Sequence, residues 1–337
     1  MPCRMTIDDR KRAALFLAFC LSAAGPAVSG SLDPPGPPAP TFKTLTEVEP
    51  RTAIPAGTGT FTISAAGSYY LTGDRSVTSG DGIVIGASNV TLDLNGFTLS
   101  GAPGTGDGIR LSAAFTRVTV KNGNVASFGG DGVGFDLPNN CGDCTIENVA
   151  AGGNSGLGIT LDINGLIRGC HAGGNGGGGI AARVRSIVAD CVAVGNGGTG
   201  IDAGSQCIVE RCILNSNVDG IVAFASVVRG NQVTVCVGDG IRLSSDCLAE
   251  NNDVDNITTV GKAGINVTSS DTLVRGNHVT DSDTGYKGAG QGALFVGNFA
   301  SGNTTDYTIP AGDKAGAIVA INTNAGSSTN VLANFSY

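Results

Sequence analysis

A glycine followed by an aliphatic residue recurs at Gly82-Ile83, Gly108-Ile109, Gly132-Val133, Gly158-Ile159, Gly179-Ile180, Gly200-Ile201, Gly220-Ile221, Gly240-Ile241 and Gly264-Ile265, in steps of 20 to 26 residues. Gly285-Tyr286 continues the series with an aromatic in the aliphatic place. A second marker falls between copies of the first: Val-Arg-Gly-Asn at 228–231 and 274–277, with the variants Ile167-Arg168-Gly169-Cys170 and Val209-Glu210-Arg211-Cys212. Neither marker sits in a helix-length periodic stretch, and short alternating apolar segments surround both. A unit of two or three short strands and tight turns cannot bury its own apolar face. Stacked copies can, each strand pairing in parallel with its equivalent one unit away. The predicted fold is therefore all-β, a single-stranded parallel solenoid of about ten rungs.

Composition supports this reading. The 54 glycines in 337 residues are about 16% of the chain, against a usual share of roughly 7%. No strict three-residue glycine period exists, which excludes collagen. A hydrophobic fraction of 41% and a mean hydropathy of +0.16 argue against disorder. Glycine costs roughly 1 kcal/mol per interior helix position, so a helical domain fits poorly.

The same period aligns other columns. Asn154, Asn175, Asn196 and Asn217 are spaced by 21 residues, which stacks their amides at one turn. Asn231, Asn252, Asn277 and Asn298 form a second such column, continued upstream by Cys170, Cys191 and Cys212. Before that turn runs a charge column: Asp93, Lys121, Glu147, Arg168, Ala189, Glu210, Arg229, Glu250, Arg275. Its signs alternate except at Ala189, so opposite charges face each other on neighbouring strands. The cysteines of the stacked region read as mostly free, buried thiols. Cys141-Gly142-Asp143-Cys144 is the one close pair, open to a loop disulfide, a metal half-site or no role.

Residues 1–30 read as a secretory signal: Arg4, Arg10, Lys11 and Arg12, an apolar run from Ala13 to Ala24, and Ala27-Val28-Ser29 for cleavage. Residues 31–40 are a Pro-rich linker, 41–80 an N-terminal cap, 81–303 the solenoid, and 304–337 a C-terminal cap or tail. The expected location is secreted, periplasmic or at the cell surface, as a monomer with no membrane span. Residues 1–30 hold four basic and two acidic residues, so the −8 of the whole chain becomes −10 without them. That charge argues against a nucleic-acid partner.

The Gly-Ile and Gly-Asn markers resemble the right-handed parallel β-helix repeats of the pectin-lyase-like superfamily. Gly67-Ser68-Tyr69-Tyr70-Leu71-Thr72-Gly73, Val90-Thr91-Leu92-Asp93-Leu94-Asn95-Gly96 and the ending Ala333-Asn334-Phe335-Ser336-Tyr337 are similar to exported bacterial β-helix proteins of unassigned activity. The resemblance covers roughly residues 55–337. It implies a right-handed solenoid whose outer face after each Gly-Ile is the usual place for a cleft. The superfamily holds lyases, hydrolases, epimerases and adhesins, so it implies no one activity.

On that outer face the period brings Asp136 and Asp162 to adjacent rungs, with Arg183 one rung on and Arg110 and Asp202 close by. Adjacent-rung carboxylates are roughly 5 Å apart, the separation of a retaining glycosidase pair, and crowding raises one pKa to supply an acid. A Ca²⁺ ion held by the pair, with Arg183 or Arg110 as a lyase base, is an alternative. So is a solvated polar face on which Arg183 neutralises the aspartates. Asp81, Asp107 and Asp131 stack at Asp-Gly turns, where a Ca²⁺ bridge competes with an ordinary turn role. No Asn-Thr-Asp, Asp-Asp and Gly-His-Gly series of the polygalacturonase kind exists. His171 and His278 are exposed and far apart, and the only methionines are Met1 and Met5, which leaves no copper site. The leading expectation is an exported non-catalytic protein whose long side binds glycans or cell-envelope components. The alternatives are a polysaccharide lyase or glycoside hydrolase, and a purely structural rod.

Overall fold

The computed structural model describes residues 49–135, 141–320 and 332–336. Residues 1–30 and 31–40, read as a signal and a linker, residues 41–48 and Asp136 lie outside the described residues. Pro50–Tyr337 form one compact unit. Every strand pairing in it is parallel, and the described residues contain no helix.

One coil serves for all. Strand Ile159–Ile163 is followed by strand Leu166–Arg168, then by strand His171–Gly173, and the next coil opens at Ile180. Single residues in the left-handed region turn the chain between these strands: Asn164 at φ 53°, Gly169 at φ 61° and Gly174 at φ 64°. Glycine and asparagine adopt that region at little cost. A coil of about 21 residues with two corners of two residues and one six-residue turn, Gly174–Gly179, is thus what these turn residues permit.

Stacked coils build two sheets. The strands after each Gly-Ile form a 12-stranded sheet, sheet 1, from Phe61–Ile63 to Thr305–Thr308 in chain order. The remaining 25 strands form sheet 2, which has two arms meeting at the second corner. Val118–Ala126 and Thr145–Gly152 run through both arms. Twelve strands in sheet 1 exceed the ten rungs expected, because rungs begin at Thr52–Ile54, inside the stretch read as a cap, and continue to Thr305–Thr308.

The inward columns are the predicted ones. Ile159 pairs with Ile180 and Ile201, and Leu161 with Ala182 and Ala203, and these side chains are at most 1% exposed. Full burial of such an aliphatic side chain contributes about 1.5–3 kcal/mol. Near the C-terminal end the column turns aromatic. Tyr286 and Tyr307 stack at 5.0 Å and 8°, and their hydroxyls donate to the carbonyls of Asn277 and Asn298 at 2.7 and 2.9 Å.

Both asparagine columns are buried ladders. Asn252 Oδ1 accepts from the backbone N–H and from Nδ2 of Asn231, both at 3.0 Å. Its own Nδ2 donates to Val228 O and to Asn277 Oδ1, both at 2.9 Å. Upstream, Asn231 Oδ1 accepts from Cys212 N at 2.9 Å, joining the amide ladder to the cysteine column.

Seven of the eight described cysteines follow a corner residue directly: Cys144, Cys170, Cys191, Cys207, Cys212, Cys236 and Cys247 come after positive-φ residues. Each thiol donates to the carbonyl two residues back, as Cys191 does to Ala189 O at 3.1 Å. Serine does the same at Ser186 and Ser226. All eight are buried, and the seven at corners are free, in keeping with the mostly free, buried thiols expected from sequence. Burial pushes the Cys144 and Cys236 thiols up to about 11, leaving almost no thiolate at neutral pH.

Two outcomes follow. Asn252→Ala leaves a buried N–H and a buried carbonyl unpaired, and urea unfolding will show a loss of about 2–4 kcal/mol. Thiol titration with an aromatic disulfide at pH 8 will leave these eight cysteines unmodified while the chain is folded and modify all of them in denaturant. Rapid reaction in the folded protein would contradict the corner role.

Candidate functional site

The outer face of sheet 1 begins with its aspartates. Asp81 Oδ1 accepts the backbone N–H of Asp107 at 3.0 Å, Asp107 Oδ1 that of Asp131 at 2.8 Å, and Asp131 Oδ1 that of Leu157 at 2.7 Å. The second carboxylate oxygen turns to the strand of the next rung. Asp81 Oδ2 meets Arg110 Nε at 2.5 Å and Asp131 Oδ2 meets the Thr160 hydroxyl at 3.3 Å. Asp219 and Asp239 repeat the pattern, with Arg242 at 2.9 Å and with Asn266 at 2.9 Å. These aspartates therefore form an outer ladder that ties each rung to the next. Among the described residues no group of three His, Cys, Asp or Glu side chains is arranged to hold a metal ion, and the Asp81, Asp107 and Asp131 carboxylates accept N–H donors where a Ca²⁺ bridge was the alternative.

Arg110 is held by this ladder. Its Nε is on Asp81 and its Nη1 donates to Leu111 O at 3.2 Å. The register runs Arg110, Gly134, Thr160, Ala181, Asp202 along one outward column, which puts Arg110 and Asp202 four rungs, roughly 19 Å, apart. They do not belong to one site.

What does assemble is smaller. An open groove of about 440 Å³ lies over three rungs of sheet 1, lined by Leu157, Gly178, Ala181, Arg183, Thr199 and Asp202 among others. It sits one to two rungs beyond the place expected for it. Ala181 is its buried floor, and Arg183 and Asp202 are exposed. The glycines of the rim have a steric cause: a Cβ on Gly178 would lie 2.6 Å from Thr199 O, and one on Gly204 would collide with Arg183 O. Side chains there would also close the groove.

Although Asp202 is solvent-accessible, its surroundings desolvate the carboxyl and raise its pKa, while the Arg183 and Arg242 charges pull it back down. Asp162 is half-buried at the third position after Ile159. Its Cα lies roughly 12 Å from that of Asp202, two rungs and two residues away, so the two do not stand on adjacent rungs as a close retaining pair would. A bulge between Ala203 and Ser205 shifts the next strand, so Phe224 pairs with Ser205 rather than with Gly204. Leu157 and Thr199 escape sequence reasoning because they sit in turns. Arg242 was visible as an outward column member, and its pull on Asp202 across two rungs was not. His171 and His278 are both exposed, five rungs apart, as predicted.

The Asp202 shift has a definite sign. A carboxyl whose pKa is raised by folding stabilises the folded state only while protonated, and that contribution is lost as pH rises through the folded pKa. Asp202→Asn will therefore raise the melting temperature slightly at pH 7 and leave it unchanged at pH 3. Equal melting temperatures at pH 7 would show that the carboxyl is not desolvated.

The family described as "Right handed beta helix region" matches residues 107–247. The A-modules of two mannuronan C-5 epimerases of Azotobacter vinelandii share the fold. AlgE6 is 17% identical over 78% of this chain and 89% of that one, with a TM-score of 0.61. AlgE4 is 14% identical over 80% and 91%, with a TM-score of 0.57. The Dettilon tailspike protein is 13% identical over 85% of this chain and 62% of its own length, at a TM-score of 0.50. A search of curated protein sequences gives no match. Stacked parallel coils, buried corner ladders and the matched repeat region together show that this chain folds as a right-handed parallel β-helix.

Proposed function

We propose that this chain is an exported β-helix protein that binds glycans along the outer face of sheet 1, without cleaving them. The observation that carries the reading is the groove itself. It has an apolar floor at Ala181 with Leu157 beside it, and presents Arg183 and Asp202 on neighbouring rungs. A guanidinium fork and a carboxylate on neighbouring rungs can donate to and accept from the paired hydroxyls of a sugar ring. The rung repeat of about 4.8 Å is close to the length of one pyranose unit, so a chain lying across rungs meets equivalent positions. The epimerase modules named above act on mannuronan, a polysaccharide, which supports a glycan as the ligand class. The N-terminal segment read as a signal, with its basic start and apolar run, supports export only through its sequence pattern.

A catalytic reading has one observation in its favour, the raised Asp202 carboxyl beside Arg183, which is the environment of a general acid. Against it stands the separation of Asp202 from Asp162.

One experiment tests both readings. The full chain is screened by calorimetry against neutral and acidic polysaccharides, with and without Ca²⁺, and product is assayed as reducing or unsaturated ends. The expected result is binding in the micromolar to millimolar range, weakened at least tenfold by Arg183→Ala, with no product. Product formation abolished by Asp202→Asn would replace the binding reading with the catalytic one. Binding unchanged in Arg183→Ala would remove the groove as the site.

A further inference from the structure

The outward face of the first arm of sheet 2 carries large aliphatic side chains on seven consecutive rungs, from Leu166 to Leu294, each in register with the next. Outward positions of a sheet facing water are ordinarily polar. None of these seven is buried: Ile187 is 39% and Leu294 40% exposed, and the others are half-buried. Two residues further along each strand runs a second column: Arg168, Ala189, Glu210, Arg229, Glu250, Arg275 and Val296. Within the chain its charges pair between neighbouring rungs, Arg229 with Glu210 and Arg275 with Glu250, both at 2.6 Å.

Over the six rungs from Ala189 to Val296 this column is antisymmetric about its centre, with Arg168 one rung outside that span. Read from either end it is apolar, charged four times with alternating sign, and apolar again, so reversal exchanges every acid with a base. We propose that the stripe is the interface of a weak homodimer in which two chains pack antiparallel, related by a two-fold axis between the rungs of Val227 and Leu248. Such an axis sets stripe on stripe: Val227 on the partner's Leu248, Ile208 on the partner's Leu273, Ile187 on the partner's Leu294. In the second column Arg229 meets the partner's Glu250, Glu210 the partner's Arg275, and Ala189 the partner's Val296. The interface is self-complementary, as a two-fold demands.

Other registers are worse. An axis through the Arg229 rung sets that residue against its own copy. An axis one rung towards the N-terminus sets Arg168 against the partner's Arg275 and Ala189 against the partner's Glu250. Like charges face to face cost free energy and exclude wrong registers. The corner beyond the charge column fits as well, since Asp190 and Arg211 then face the partner's Gly297 and Gly276. Six rungs span about 24 Å, and a contact of about 400–500 Å² per partner lies at the low end for specific complexes. The dimer therefore forms at high protein concentration, and the monomer expected from sequence prevails when dilute. The glycan reading concerns the other sheet, and this inference is independent of it.

Sedimentation velocity of the full chain from about 1 µM to about 500 µM tests the proposal, with circular dichroism as a check on folding. The dimer fraction will rise with concentration, and Leu248→Lys will weaken association at least tenfold. Arg229→Glu will weaken it too, because Glu then faces the partner's Glu250, and adding Glu250→Arg will restore it. Ile187→Cys with Leu294→Cys, five rungs apart in one chain, will give a disulfide-linked dimer under mild oxidation that the parent chain does not. A monomer at every concentration, association indifferent to Leu248→Lys, failure of the charge swap to restore, or absence of the cross-link would each overturn it.

Discussion

A side-chain oxygen on one rung that accepts the backbone N–H of a neighbouring rung is the interaction on which this structure depends. It occurs inside, where Asn252 Oδ1 takes the N–H of Asn231, and outside, where Asp81 Oδ1 takes that of Asp107. Both act at corners, where the sheet ladder is interrupted and a main-chain donor would otherwise be left over. An unpaired buried donor costs about 1–3 kcal/mol, so each corner has strong reason to recruit a side chain. The amide has the further property that it both accepts and donates, and a column of amides can propagate through many rungs. Carboxylates lack the donor, which is why Asp81, Asp131, Asp219 and Asp239 spend their second oxygen on a side chain of the following strand.

Because corners hold the register, the faces between them are free to differ. The interior is filled by aliphatics and, at the far end, by the Tyr286–Tyr307 stack. The outer face of sheet 1 keeps a low glycine rim on the rungs around Gly178, and that relief is what makes a groove there. On the first arm of sheet 2 the outward face is instead aliphatic, bordered by charges that alternate. Alternation has a purpose within the chain, since neighbouring rungs attract. The same alternation makes the strip complementary to its own reversal, so one local electrostatic rule acts at two levels.

Much of this was legible without coordinates. The 21-residue spacing of Asn154, Asn175, Asn196 and Asn217 placed them in one column, and the charge column from Asp93 to Arg275 has the pairing its alternation implied. The candidate site was less legible. Arg110 looked close to Asp202 because both share a column, yet rungs separate them and Asp81 holds the arginine. The cysteines looked like interior filler, and they are, with a specific duty at corners that serine can share.

The amino-acid sequence by itself determined the period, the inward columns and the sign of the outward ones, because stacking turns a residue's copy about 21 places on into its neighbour. Only the tertiary structure decided which carboxyl is desolvated, which arginine is already engaged and where the surface dips. Those properties arise from side chains several rungs and a corner apart, whose separation in space bears no fixed relation to their separation along the chain.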